Sequence, residues 1–145
     1  MTIFTTLKNK ILSLLQTVTK LENNNIFDYP KAEVNGYPAA IFYPAEGSVD
    51  YETTSEDERV YAWVIEIHYE YDIGGISNAL NALYDCVDDV LDKFSTNRML
   101  TGISMPASTV LIGVEPVSAG WGELPNKKIL VATINLKIRV SVSSS

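Results

Sequence analysis

Hydrophobic residues near the start of the chain recur at spacings of three and four, the pattern of an amphipathic helix. The repeat covers Phe4–Leu21, the threonines at its start can cap it, and the asparagines that follow favour a turn. A second helical repeat extends from the expected N-cap Ser77 to about Phe94. Two amphipathic helices are therefore predicted.

Four further segments predict β-strands: Ala39–Tyr43, Arg59–Tyr71, Thr109–Val117 and Lys127–Val142. The second and fourth alternate apolar with polar positions, which is typical of antiparallel sheets with one solvated face. The order helix, strand, strand, helix, strand, strand predicts a two-layer α+β fold: an antiparallel four-stranded sheet packed by two amphipathic helices. At 145 residues, 1–145 is expected to form a single domain.

Two connections in this fold stand out. The first, at about 45–58, contains six acidic residues and no base, and its length predicts a mobile, functional loop. The second, Ala119–Asn126, is rich in turn residues and contains Trp121 between two glycines. This tryptophan is either an interface anchor or a side chain tucked over the end of the sheet.

Net charge restricts the expected partners. The formal charge is −7, and because the acidic loop supplies six of the acids, the rest of the chain is close to neutral. An acidic chain gains nothing from counterion release, which argues against direct nucleic-acid binding. The apolar runs are too short for a membrane span, the N-terminus lacks signal-peptide features, and one cysteine cannot form an internal disulfide. The chain is predicted to be made in the cytosol.

Candidate chemistry is sparse, and the sequence predicts no enzyme, no cofactor and no metal site. His68 is the only histidine and falls on the polar face of its strand, where a plain surface or edge histidine is expected rather than a catalytic one. Cys86 falls within the second helix and is expected to be a small buried hydrophobe. The glycines at 74 and 75 precede a helix but lack the lysine and spacing of a phosphate-binding loop.

Four aspartates share the polar side of the second helix. They lack the loop and glycine of a calcium site, so a solvated face is the first expectation and a salt-bridged subunit contact the second. They are Asp85, Asp88, Asp89 and Asp92.

Three segments together resemble a known family. They are the proline-flanked strand Tyr37–Pro44, the strand Arg59–Ile67 that follows the acidic loop, and the Leu- and Asp-rich helix Leu83–Asp92. With the N-terminal helix and two closing strands, this order resembles the tail terminator (tail completion) proteins of long-tailed bacteriophages. The resemblance extends over nearly the whole chain.

The resemblance implies a structural virion protein of the tail or neck, assembled in the host cytoplasm. It implies a homo-hexameric ring that caps the tail tube and meets the head–tail connector protein, with DNA passing through the lumen without specific binding. The acidic charge suits such a lumen. The two projecting loops are the candidate interfaces, and a free edge strand is a third. The loop candidates are Glu46, Asp50, Glu52, Glu56, Asp57, Glu58, Trp121, Glu123 and Leu124.

Other functions remain open at the level of sequence. A head–tail connector or neck adaptor protein would share this size and acidity. A small enzyme would need a pocket with convergent polar groups. A cytosolic ligand-binding or regulatory domain would be favoured by a small molecule that raises the melting temperature of the chain.

Overall fold

The computed structural model describes residues 2–21, 25–29, 36–51, 57–71, 75–100, 103–106, 109–123 and 128–142. Its elements are α1 (Ile3–Leu15), β1 (Ile26–Phe27), β2 (Ala39–Tyr51), β3 (Asp57–Glu70), α2 (Ile76–Thr96), β4 (Thr109–Glu123) and β5 (Ile129–Val142).

The strands form one sheet in the order β1-β2-β3-β5-β4. Pairing is antiparallel throughout except between β1 and β2, which are parallel. The predicted α+β class is confirmed, but the prediction of four antiparallel strands is wrong, because the described residues form five strands. The additional strand β1 is two residues long, and so short a strand leaves no alternation to detect in a sequence.

Helix α1 is shorter than the predicted Phe4–Leu21. Thr2 caps it by accepting a hydrogen bond from the backbone N–H of Thr5. Beyond Leu15 the chain continues in tight turns, in which backbone N–H groups donate to carbonyls three residues earlier. These turns keep Val18 and Leu21 buried, so the apolar repeat continues past the end of the helix.

Helix α2 begins one residue before the predicted cap. Gly75, not Ser77, occupies the N-cap position, with a φ of 91° and no side-chain capping hydrogen bond. That positive φ favours glycine, because a Cβ in this region clashes with the backbone. Among the described residues, neither helix combines the length and apolar character needed to cross a bilayer.

The strands extend into both segments that were predicted to be connections. β2 continues to Tyr51 and β3 begins at Asp57, so much of the predicted acidic loop at 45–58 is strand. The pairing of β2 with β3 shifts register between Pro44 and Val49, and such an irregularity hides the strand alternation in the sequence. β4 likewise continues to Glu123 through the predicted turn at Ala119, with register shifts after Leu111 and Pro116. Whether the acidic tip is mobile, and whether the chain is a single domain, stay predictions.

The main core lies between the two helices and one face of the sheet. The inward side chains predicted for the last strand are all buried there: Leu130, Ala132, Ile134, Leu136, Ile138 and Val140. From β3, Trp63 joins them, and its ring contacts Phe42 and stacks on Phe4 at a centroid distance of 5.0 Å. Cys86 is buried in α2 as predicted, and burial raises the pKa of its thiol to about 11.

Candidate interaction surface

The candidate acidic residues fall along the β2–β3 hairpin. Glu46 and Asp50 have backbone positions in β2, and Asp57 and Glu58 begin β3. Glu52 and Glu56, like Leu124 of the second predicted loop, lie outside the described residues. The structure therefore assigns the four placed acids to strands rather than to a projecting loop.

Glu58 forms a cross-strand ion pair. Arg139 on β5 lies between Glu58 on β3 and Glu115 on β4, with nitrogen–oxygen distances of 3.6 Å to each carboxylate. The side chain of Glu58 is three-quarters buried, which distinguishes it from a freely solvated loop acid. We conclude that Glu58 contributes to joining the strands at this end of the sheet.

Trp121 lies on edge strand β4, flanked by Gly120 and Gly122. Its side chain is 50% exposed, although it shares a sheet face with the core. Beside it, Glu123 accepts a hydrogen bond from the hydroxyl of Tyr71 at 2.6 Å, which raises the pKa of Tyr71. This exposure disfavours the alternative of a side chain tucked over the end of the sheet, and the role of Trp121 as an interface anchor stays a prediction.

Exposed apolar side chains occur along the whole of β4, on both faces of the strand. Of the eight large hydrophobic side chains exposed in the described part of the chain, four belong to this strand. They are Val110, Ile112, Val117 and Trp121. We call these four residues the β4 edge surface.

Sequence reasoning identified only Trp121 in this surface. A signal for the others is present in Thr109–Val117, where apolar residues occupy both alternating positions. A strand with one solvated face would carry polar residues at every second position. The pairing of β4 with β5 shifts register at Ile112 and at Val117. The alternation of residues along the strand therefore does not predict that these two side chains are exposed.

A groove of about 440 Å³ borders the β4 edge surface near the start of the strand. The segment after α2 forms one wall, held in place because the backbone N–H of Val114 donates to the carbonyl of Arg98 at 2.8 Å. Exposed Met99 and Ile112 contribute apolar surface. The groove is lined by Arg98, Met99, Ile112, Gly113, Val114, Glu115 and Arg139.

On the sheet face opposite the helices, Glu66 accepts hydrogen bonds from two partners. Its Oε1 lies 2.9 Å from Nε2 of His68, and its Oε2 accepts from the hydroxyl of Tyr43. The bond to His68 is the main cause of a lowered pKa for Glu66, against the opposing effect of burial. Burial, followed by the bond to Glu66, raises the pKa of Tyr43 to about 12.

The prediction of a surface or edge position for His68 is wrong, because only 6% of it is exposed and its strand β3 lies between β2 and β5. Its neighbours across the ladder are Ala39 on β2 and Val131 on β5, which are both buried. These apolar neighbours on adjacent strands exclude water from His68, although the nearby residues on the same face of its own strand are acidic. A histidine enclosed in this way is suited to holding Glu66 in place rather than to meeting a substrate.

The acidic stripe of α2 lies beside the turns that follow α1. Lys20 pairs with Asp89 at 3.0 Å, and a shallow groove of about 310 Å³ separates the two segments. Asp85 and Asp88 are exposed, as the solvated-face prediction expects. Within the described ranges, no group of three or more potential ligands is arranged to hold a metal ion.

Comparison with known proteins finds similarity only at the level of structure. No protein-family model matches the sequence, and no curated protein matches it. Among solved structures, the chain is similar to a chain in one described as the virion of a native gene transfer agent (GTA) particle. That likeness has a TM-score of 0.57 at 13% sequence identity and covers 96% of this chain and 97% of that chain. It establishes a shared fold.

Proposed function

We propose that this chain is a structural virion protein, a tail terminator whose copies form a ring that caps the tail tube and joins it to the head connector. The observation that carries this proposal is the fold shared with a chain of a gene transfer agent virion. That likeness extends over almost the full length of both chains. A likeness over nearly the full length of both chains favours a subunit with the same architecture over a shared fragment.

The surface of the chain supports a role in assembly. A ring requires two different patches on each subunit, because its contacts are head to tail. The sheet provides two different edges: β4, with its exposed apolar side chains, and β1, which is two residues long. The net charge of −7 suits a lumen through which DNA moves without binding.

Native mass spectrometry of the full chain over a concentration series tests the ring. We expect a discrete oligomer, with six copies as the predicted number, and the same species bound at the end of isolated tail tubes. A chain that stays monomeric both alone and with tail tubes would contradict the proposal.

The neck adaptor predicted as an alternative would share the same fold likeness, and the two functions differ in the neighbour that is bound. Pull-down with purified tail tubes and, separately, with purified connector separates them. A terminator is expected to bind both, whereas an adaptor is expected to bind only the connector.

A further inference from the structure

The groove beside the start of β4 combines apolar walls with a cationic rim. Met99 and Ile112 are 56% and 43% exposed in it, and Val110, two residues before Ile112 on the same strand, is 65% exposed. Arg98 lies at the rim and is also exposed. Arginine and methionine are enriched in the cores of protein interfaces. The groove therefore fits a partner segment that carries acidic and apolar side chains together.

The charges of the groove leave Arg98 available for an incoming acid. Arg139 lies 3.6 Å from Glu58 and 3.6 Å from Glu115, so the acid that lines the groove already has a partner. Arg98, by contrast, forms no ion pair with any acid in the described part of the chain. An exposed, unpaired guanidinium beside apolar surface is suited to binding a carboxylate.

A segment with matching chemistry lies on the other side of the same sheet. The last part of β2, Glu46–Tyr51, carries two acids and no base, and Asp50 stands between two apolar residues in the sequence. Two of the three arginines of the chain, on the other hand, line the groove at β4. Opposite charges on two different surfaces of one subunit favour head-to-tail contacts between identical copies.

The acidic end of β2 and the groove lie at the same height of the sheet. Asp50 of β2 is opposite Val60 of β3. Val60 is in turn opposite Arg139 of β5, which is opposite Gly113 of β4 in the groove. Residues opposite each other in an antiparallel ladder share a face of the sheet, so this row stays on the face opposite the helices.

Within one chain, the end of β2 lies far from the groove. β3 and β5 separate β2 from β4, and three strand spacings of about 4.8 Å put roughly 14 Å between them. β1 pairs with only Ala40 and Ile41 of β2, so none of the described strands lies along the outer side of β2 beyond Ile41. In copies related by rotation about an axis along the strands, this end of β2 would come beside β4 of the next copy at the same height.

We propose that the end of β2 (Glu46–Tyr51) of a second copy of this chain docks in the β4 groove, with Asp50 of that copy beside Arg98 and the same strand packing on Met99 and Ile112. The contact uses a different surface on each copy, so it repeats head to tail and can close into a ring. This inference rests on the proposed function, because both require the chain to bind copies of itself.

Cross-linking with single cysteines tests which surfaces meet. Met99→Cys replaces an exposed side chain of the groove, and Asp50→Cys places a thiol at the end of β2. The native Cys86 is buried and should not react in the folded chain. The variants are produced separately and also together in one cell, so that mixed oligomers form, and a short thiol-specific cross-linker is added.

A covalent dimer is expected from the co-produced pair and from neither variant alone. Glu70→Cys is the control partner for Met99→Cys: Glu70 is exposed at the other end of the sheet, so this pair should give no dimer. A dimer from Met99→Cys alone would mean that two grooves meet, and would overturn the proposal. Absence of a dimer from the Met99 and Asp50 pair, at concentrations where the wild type is oligomeric, would overturn it as well.

Charge reversal tests the pairing of Arg98 with Asp50. Arg98→Glu and Asp50→Arg should each weaken self-association at least about tenfold, because each places like charges opposite one another. Their mixture should recover the association, since every groove then finds an end of β2 with the opposite charge. A mixture that associates no better than either variant alone would contradict the pairing.

Lys128→Glu is the matched control, because it reverses a charge at an exposed position at the other end of the sheet and should leave self-association unchanged. Circular dichroism of each variant checks that the fold is intact. If the wild type forms a ring and the charge-reversed variants form it equally well, the joint at Arg98 is wrong and the terminator proposal stands. A wild type that is monomeric alone and on tail tubes would remove both.

Discussion

The face of the sheet covered by the helices is almost entirely apolar, whereas the opposite face combines buried apolar residues with paired polar groups. Trp63 and Ile65 typify the first face, where the side chains pack against α1 and α2. On the second face, Glu66 is bonded to His68 and Tyr43, and Arg139 pairs with two carboxylates. The comparison predicts that substitutions on the first face lower the free energy of unfolding mainly through lost side-chain volume. On the second face they should lower it mainly through lost hydrogen-bond and ion-pair partners.

The largest effect is expected from Trp63→Ala on the helix-covered face. Trp63 is fully buried between Phe4 and Phe42, so truncation should lower the free energy of unfolding by about 3–5 kcal/mol. Denaturant unfolding measures this change. Trp63→Phe is the matched control: within the described residues the indole nitrogen has no hydrogen-bond partner, so most of the loss should be avoided. If both variants lowered the free energy of unfolding equally, lost side-chain volume would not be the cause.

A smaller effect is expected from Glu66→Gln on the opposite face. The substitution keeps the shape of the side chain but removes the carboxylate that accepts from Tyr43 and His68. A loss of about 1–3 kcal/mol is expected, because it leaves partly buried groups with poorer partners. Glu70→Gln, at an exposed position on the same strand, should change the free energy of unfolding little. A similar loss in both variants would show that the hydrogen bonds of Glu66 are not the cause.

The dependence of the free energy of unfolding on pH tests the role of Glu66 further. The folded-state pKa of Glu66 is lowered from its ordinary value of 4.5, so the folded chain favours the ionised carboxylate. The resulting stabilisation is present above the ordinary value and is lost as the pH falls through the folded-state pKa. The difference in free energy of unfolding between the wild type and Glu66→Gln should therefore shrink as the pH is lowered below 4.5. A constant difference across that range would contradict this assignment.

The smallest effect is expected from Glu115→Gln. The side chain of Glu115 is half exposed and the contact of its carboxylate with Arg139 is long, so the pair should contribute less than about 1 kcal/mol to stability. Arg139 also keeps Glu58 as a partner after the substitution. Unfolding at low and high salt measures the change, which should diminish as salt screens the pair. A loss that is large and independent of salt would mean that Glu115 acts through packing.

Both helices and four of the strands could be predicted from the sequence. The helices, β3 and β5 have periodic apolar patterns, whereas the first parts of β2 and β4 are short apolar runs next to turn residues. The missing strand, Ile26–Phe27, is too short for any period. The ends of β2 and β4 were misjudged because register shifts interrupt their alternation. In the candidate surface, Trp121 could be identified from its position between two glycines, whereas the exposure of Val110 depends on β4 being an edge strand.

The amino-acid sequence by itself determined the α+β class, the inward side chains of the last strand and the burial of Cys86. These follow from local periodicity and from the hydrophobic effect, which act on residues close together in the chain. Only the tertiary structure decided that His68 is enclosed and that β4 forms an edge. Each of these depends on which distant strands become neighbours: Ala39 and Val131 lie beside His68, and β5 is the one neighbour of β4 among the described strands.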